Sequence, residues 1–417
     1  MSEITTYEKT KDSGIEWIGS VPSHWRVHTL YQLATQVKEK NSNLQEKNLL
    51  SLSYGKIKRK DIDSPDGLLP ASFDGYNIIE DGDIVLRLTD LQNDHTSLRV
   101  GLATERGIIT SAYTTLRPID TSNSKYLYYL LHAFDLKKGF YGMGSGVRQG
   151  LNYAEVKELR VVLPGQDEQN AIVRFLDNQC GQIDSIIEEA KSSIEEYKKW
   201  RASIIFEAVT KGLNPLAEMK DSHIDWIGLV PSHWKLSRIK NELDNLDYLR
   251  EPISAEKREN ILGLYDYYGA SGVIDKIDDY NVDDKVLLIG EDGANLRMRN
   301  LPLVYKAEGK FWVNNHAHIL KVHDDNCYGF IAYLLEAGDY SVFITGSAQP
   351  KLSQFNLMRF PIVIPPLVEQ QKIEAYLDEK CSAIDALIRE KKSLLSELEI
   401  YKHSLILETV TGKRKVV

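Results

Sequence analysis

The side chains best placed to do chemistry in this chain are cations and amides, and the chemistry they suit is recognition of an anionic polymer. Lys56, Lys58, Arg59 and Lys60 fall together in KIKRK, and Arg148 and Gln149 lie in the glycine-rich stretch GMGSGVRQG at 142–150. Further along, Arg297 and Arg299 occur in GANLRMRN, Asn314 and Asn315 in NNHAH, and Gln349 and Lys351 in AQPKL. Lysine and arginine neutralise phosphates, whereas arginine, asparagine and glutamine hydrogen-bond base edges in pairs. A glycine-rich loop also lets backbone approach a phosphate closely. A solvated turn is the competing reading of that loop. As a nucleotide signature its GxGxG is weak, because it does not join a strand to a long helix.

Catalytic chemistry is missing. The chain has no GxxxxGK[ST] phosphate loop, no HExxH and no GxSxG. It also lacks the D/N-P-P-Y/F tetrapeptide and the glycine-rich cofactor loop expected of a DNA amino-methyltransferase. Asp278-Asp279 and Asp283-Asp284 read as solvated loop carboxylates. His316 and His318 alternate, so in a strand both would face one side. No Asp, Glu or Cys recurs beside them at ligand spacing, so packing or polar contact is expected and a metal is not. His24 and His233 recur beside tryptophan in PSHW, which points to a structural role.

A chain of 417 residues suits two or three domains, and 42% hydrophobic with 27% charged residues is ordinary for a globular protein. With no run of eighteen apolar residues and no apolar leader, neither a membrane span nor a secretory signal is expected. Three cysteines, two of them (Cys180 and Cys381) at equivalent places on apolar helical stripes, suit buried thiols in a reducing cytoplasm. The net charge of −9 is wrong for a self-sufficient binder of polyanions. The balance is +2 over residues 20–163 and −4 over 235–364, so neither stretch is strongly basic.

The elements that must position the candidate groups are written twice. Residues 12–25 read DSGIEWIGSVPSHW and residues 221–234 read DSHIDWIGLVPSHW, identical at eleven of fourteen positions. Residues 168–212 open EQNAIVRFLDNQCGQIDSII and close FEAVTKG, while 369–413 open EQQKIEAYLDEKCSAIDALI and close LETVTGK. Two copies at this long period mark a duplicated domain-plus-helix unit, not a solenoid. The leaders, with Gly and Pro among apolar residues, read as tight tryptophan-anchored loops or short helices. Leu176, Cys180, Ile183, Ile187, Ala190, Ile194, Tyr197, Arg201, Ile204 and Ala208 step by three and four. That is a heptad seam on a rod of about 65 Å. Leu377, Cys381, Ile384, Ile388, Leu395, Leu398 and Leu405 supply a partner seam at the same phase. A twofold relation between equal units makes the pair antiparallel.

Residues 26–163 alternate short β-like runs (84–86, 107–110, 159–163) with Asp-Gly turns and an apolar helix at 125–134. Residues 235–364 echo them only near the end, where GSAQPKLSQFNLMRFPIVIPP answers GSGVRQGLNYAEVKELRVVLP. The expected fold class is therefore α+β. Two mixed α/β globular segments are joined by two long helices in an antiparallel coiled coil, with a pseudo-twofold internal duplication. The expected boundaries are 1–163 for the first globular segment, 164–212 for its helix, 213–364 for the second segment with its leader at 213–234, and 365–417 for the last helix. A shared scaffold with divergent inserts is the pattern of one job done on two targets.

The WIG-x-VPxHW leaders, the P-x(3)-EQ-x(2)-I helix starts and the two variable segments together resemble the specificity subunit of bacterial type I restriction-modification systems, over nearly the whole chain. The resemblance implies that each variable segment is a target-recognition domain for one half of a split DNA sequence. It implies helices that space these domains and dock two modification (methyltransferase) subunits, with restriction (translocase-nuclease) subunits able to join. It implies double-stranded DNA as a partner, no membrane, no catalytic residue or cofactor on this chain, and S-adenosylmethionine held by the modification subunits. Inverted domains on a rod would meet the duplex about one helical turn apart, roughly 34–36 Å. Unlike segments imply unlike half-sites, and the acidic balance implies that the partners supply most phosphate contacts. A coiled-coil adaptor that binds only proteins is the alternative.

Overall fold

The computed structural model describes residues 5–416 apart from 63–69, 71, 92, 95, 144–149 and 260–262. The chain forms two compact units, residues 1–190 with 392–417 and residues 191–391. Among the described residues, the helices of ten residues or more are α1 (Ser124–Leu136), α2 (Gln166–Lys211), α3 (Tyr328–Ala337) and α4 (Leu367–Val410).

In the first unit an antiparallel sheet runs in the order Ala34–Gln36, Thr114–Pro118, Ile84–Leu86, Val100–Leu102. Beside it lie the pair Asn77–Ile79 with Gly107–Ile109 and the hairpin Leu50–Ser53 with Lys56–Arg59. In the hairpin Leu50 and Leu52 are buried between the less covered Ser51 and Ser53, the period-two pattern of a half-covered strand. They pack with Ile79, Val85, Ala103 and Ile109. α1 buries Tyr126, Leu127, Leu130, Leu131 and Ala133, more than a single stripe, and therefore needs cover on more than one side. It joins the core that holds Trp25, Leu176, Ile183, Leu405 and Val410.

The second unit is built on a six-stranded sheet in the order Leu243–Asn245, Ala317–Val322, Val282–Gly290, Val304–Val313, Tyr265–Gly269, Gly272–Ile277. Its pairings are antiparallel except that of Tyr265–Gly269 with Val304–Val313. α3 covers one side through Phe330, Ile331, Leu334 and Leu335, in one core with Trp234, Leu287 and Leu377.

The leaders are not helices. Thr10–Asp12 pairs antiparallel with Ser20–Pro22, around a turn in which the Ile15 carbonyl accepts from the amides of Ile18 and Gly19. The second copy pairs Met219–Asp221 with Leu229–Pro231 in the same way. Gly19 and Gly228 both hold positive φ in this turn, at 69° and 73°. The glycine of WIG is what permits it.

Each unit contains an antiparallel helix pair. In the first unit the start of α2 and the end of α4 meet at one leader. Trp25 Nε1 donates to Glu168 at 3.0 Å, and a Cβ on Gly412 would fall 2.3 Å from Pro22. Four turns along, Lys402 Nζ donates to Asp184 at 2.6 Å. In the second unit a Cβ on Gly212, past the end of α2, would lie 3.1 Å from both Trp234 and Glu369, the latter at the start of α4. Arg201 there stands 3.1 Å from Asp385. Gly212 and Gly412 close the helices in the left-handed region, at φ 73° and 69°.

Of the seam, Leu176, Cys180, Ile183, Ile187, Ala190, Ile194, Ala208, Leu377, Cys381, Ile384 and Leu405 are buried. Tyr197, Arg201, Ile204, Ile388, Leu395 and Leu398 are only half-buried. Ile205, Val209, Ile406 and Val410, one step off the seam, are buried too. Near the leaders a second face of each helix is covered by globular structure, so the buried stripe widens there beyond a strict coiled-coil seam.

Candidate nucleic-acid interface

The scaffold comes first, because its repeated motifs touch one another. Glu168, the acid of the EQ motif, accepts hydrogen bonds from Tyr7 Oη at 2.6 Å and Trp25 Nε1 at 3.0 Å, and pairs with His24 Nε2 at 2.8 Å. Burial, then the bond to Glu168, pushes the Tyr7 hydroxyl well above its usual range. Glu369 pairs with His233 Nε2 at 2.9 Å, while Trp234 Nε1 makes no hydrogen bond among the described residues. The glutamines of the motif do one job in both copies. Gln169 and Gln370 each donate to a proline carbonyl before their helix, those of Pro164 and Pro365, both at 2.9 Å. His24 and His233 are thus clasps between leader and helix, and neither sits in a cluster of metal-ligating groups among the described residues.

In the first unit the KIKRK cations lie on and just beyond the outer strand of the 50–59 hairpin. Alternation places Ile57 and Arg59 on one face and Lys56, Lys58 and Lys60 on the other. Ile57 packs inward, and Arg59 is held by Glu105 through Nε at 2.8 Å. Lys56 stands 3.9 Å from Asp184. Lys58 and Lys60 are exposed, without an ion pair among the described residues. Arg148 and Gln149 lie outside the described residues.

In the second unit four loops meet where the sheet ends. The Glu291 amide donates to His316 O at 2.9 Å, Gly293 N to Pro350 O at 3.0 Å, and Leu352 N to Glu291 O at 2.7 Å. Beneath them is a network of charges. The Glu291 carboxylate takes Lys351 Nζ at 2.9 Å and also the guanidinium of Arg250, which stands 3.3 Å from Asp247 and donates to Asn315 O at 3.3 Å. Burial alone would raise the Glu291 carboxyl, but the Lys351 and Arg250 bonds outweigh it and hold it low. Asp247 is likewise held low against its burial, chiefly by His318.

This network sorts the candidate residues. Arg297, Asn315 and Gln349 are exposed on its outer side, with Arg297 Nη2 donating to Gly346 O at 2.9 Å. Lys351 is tied down to Glu291. Asn314 is buried, its Oδ1 accepting from His316 N at 2.8 Å, so it shapes the loop from within. Arg299 takes left-handed backbone at φ 51° and turns away toward the α3 carboxylate of Glu336. Glu336 is raised by burial and caps the amides of Leu303 and Val304 at 2.9 and 2.8 Å. Beside it opens a cleft of about 540 Å³ lined by Lys198, Arg201, Arg299 and Lys306 against Glu336 and Asp385.

The two alternating histidines do not share an environment. His316 precedes the strand and meets Asp292 at 2.8 Å, whereas His318 is fully buried between Asp247 at 2.6 Å and the Leu352 carbonyl at 2.8 Å. Arg250 and Glu291, which hold the loops together, escape sequence reasoning. They lie 41 residues apart and neither stands in a motif.

Comparison with known proteins agrees with this architecture. Residues 231–397 match the family described as type I restriction modification DNA specificity domain. A type I restriction enzyme specificity subunit of Haemophilus influenzae is 32% identical over 146 residues, 35% of this chain and 36% of that protein. The MjaX specificity subunit of Methanocaldococcus jannaschii is 24% identical over 304 residues, 70% of this chain and 68% of that protein. The chain thus spans about a third of the first relative and about two thirds of the second. A solved chain from a study of assembly and conformational transition in a type I R-M system superposes with TM-score 0.67 at 14% identity, covering 94% of this chain and 98% of that one. The match over residues 231–397 and these relatives make the chain similar to type I restriction-modification specificity subunits.

Proposed function

We propose that this chain is the addressing subunit of a type I restriction-modification complex. Each unit reads one half of an asymmetric, two-part sequence in double-stranded DNA, and the long helices dock two modification subunits, with restriction subunits able to join. The chain carries no catalytic group or cofactor of its own. S-adenosylmethionine and the methyl-transfer chemistry belong to the modification subunits, and the complex works in the cytoplasm.

The observation that carries this reading is the contrast between scaffold and heads. Leader, helix start and helix pair repeat key contacts, His24 with Glu168 as His233 with Glu369, and Lys402 with Asp184 as Arg201 with Asp385. On that scaffold one unit presents a lysine-faced hairpin and the other a loop cluster with Arg297, Asn315 and Gln349 outermost. Two different heads on one mount suit two unlike half-sites.

Long-read methylation mapping of cells that carry the modification subunit, with and without this chain, tests it. A split, adenine-methylated motif that depends on the chain is the expected result. An associated, soluble complex that methylates no new motif would overturn the reading.

A further inference from the structure

At the tip of the 50–59 hairpin, Ser53 and Lys56 face each other across a two-residue loop, Tyr54-Gly55. Both loop residues have positive φ, 47° and 76°, as in the type I′ turn that suits the twist of a hairpin. That turn favours Asn-Gly, because asparagine tolerates left-handed backbone. A tyrosine there is held in a strained backbone conformation. Packing gives nothing back: Tyr54 is 75% exposed, with no hydrogen bond or ring contact among the described residues.

The ribbon behind the tip is packed onto the core on one face. Leu50 and Leu52 anchor it in the core, and a Cβ on Gly55 would lie 3.1 Å from Leu98. Next to Leu98, Arg99 is fully buried, and its guanidinium donates to the carbonyls of Arg87 at 3.1 Å and Thr89 at 2.8 Å, while Nε donates to Tyr141 Oη at 2.9 Å. The outward face carries Ser51 and Ser53 opposite Lys58 and Lys56. It is therefore hydroxyl- and ammonium-lined, and ends in one bare aromatic ring.

We propose that this hairpin is a two-stranded probe for the major groove, with Tyr54 as the specificity-determining side chain of the first unit. The major groove, about 12 Å wide, admits a two-stranded β-ribbon. Lys58 and Lys60 meet phosphates at the groove edges, and the Tyr54 ring meets base edges such as the thymine methyl at its floor. The inference rests on the DNA-reading role proposed above and names the residue through which one head performs it.

The test uses the full chain assembled with its modification subunits and the variants Tyr54→Asn and Lys58→Ala/Lys60→Ala. Asparagine relieves the turn, so Tyr54→Asn is expected to assemble with an unchanged or higher Tm. Its methylation motif is expected to drop about tenfold in discrimination at one or two positions of one half-site, the scale of a single mismatched base pair, with the other half intact. The lysine variant keeps the motif but binds DNA more weakly, and the salt slope of log K falls by about 1 for each lysine that meets a phosphate. An unchanged motif in Tyr54→Asn overturns the inference, and so does a lowered Tm with loss of assembly, which would make Tyr54 a packing residue. If the wild-type complex shows no split motif at all, the DNA-reading role itself fails and the inference falls with it.

Discussion

At the scale of single residues, the two scaffold glutamates have unequal work. Glu168 serves Tyr7, Trp25 and His24, whereas Glu369 serves His233 and is more exposed. Removing the first strands two neutral donors, so Glu168→Ala is expected to cost about 2–4 kcal/mol. Glu369→Ala breaks one surface pair and should cost about 1 kcal/mol or less. Hydrogen exchange over 10–25 compared with 219–234 reads both, and equal loosening of the two leaders would contradict the account.

Asp135 on α1 makes a pH prediction at the same scale. Its Oδ2 accepts from Arg99 N at 2.6 Å, its Oδ1 has no partner among the described residues, and burial pushes its carboxyl up to about 6. A carboxyl raised above its unfolded value of about 3.9 keeps its proton longer in the folded state. The first unit is therefore favoured below pH 4 and loses that contribution as pH rises through about 6. Asp135→Asn keeps the acceptor and removes the charge, so it should stabilise by at most about 3 kcal/mol at pH 8 and by nothing at pH 4. Equal effects at both pH values, in thermal unfolding, would show that Asp135 is not held protonated.

At the scale of elements, the long helices are the most legible feature of the sequence. A 3.6-residue stripe is local information, and the apolar residues from Leu176 to Leu405 marked both helices and their pairing. The width of the buried stripe was not legible, since Ile205 and Ile406 are covered by structure remote in sequence. The leaders proved to be β-turn clasps because Trp25 finds its partner 143 residues away. Among the candidate residues, Asn314 is buried and Lys351 is held by Glu291, which comes from another loop remote in sequence. The uneven seam sets a ranking. Leu405→Asp, at a position 1% exposed, should cost about 4 kcal/mol or more, whereas Leu395→Asp, half-buried, should cost about 1–2 kcal/mol. Denaturant unfolding measures both, and a reversed order would place the seam on the wrong face.

At the scale of the whole molecule, a net charge of −9 sits on a protein proposed to read DNA. Phosphate contacts dominate affinity and need cations. Much of the positive charge here is already engaged internally, as Arg59 on Glu105, Arg250 and Lys351 on Glu291, and Arg99 on backbone carbonyls. The chain alone should therefore bind a duplex weakly and gain affinity on joining modification subunits. Fluorescence anisotropy on one labelled duplex, with and without those subunits, measures the gain, and tight specific binding by the free chain would contradict it.

In the proposed function one repeated mount carries two independent reading heads. The most direct test maps methylation by the assembled complex for two variants, Tyr54→Asn in the first unit and Arg297→Ala in the second. Two different relaxed motifs are expected, each degraded in one half-site and intact in the other. Loss of both halves together in either variant, or of neither half in both, would contradict it.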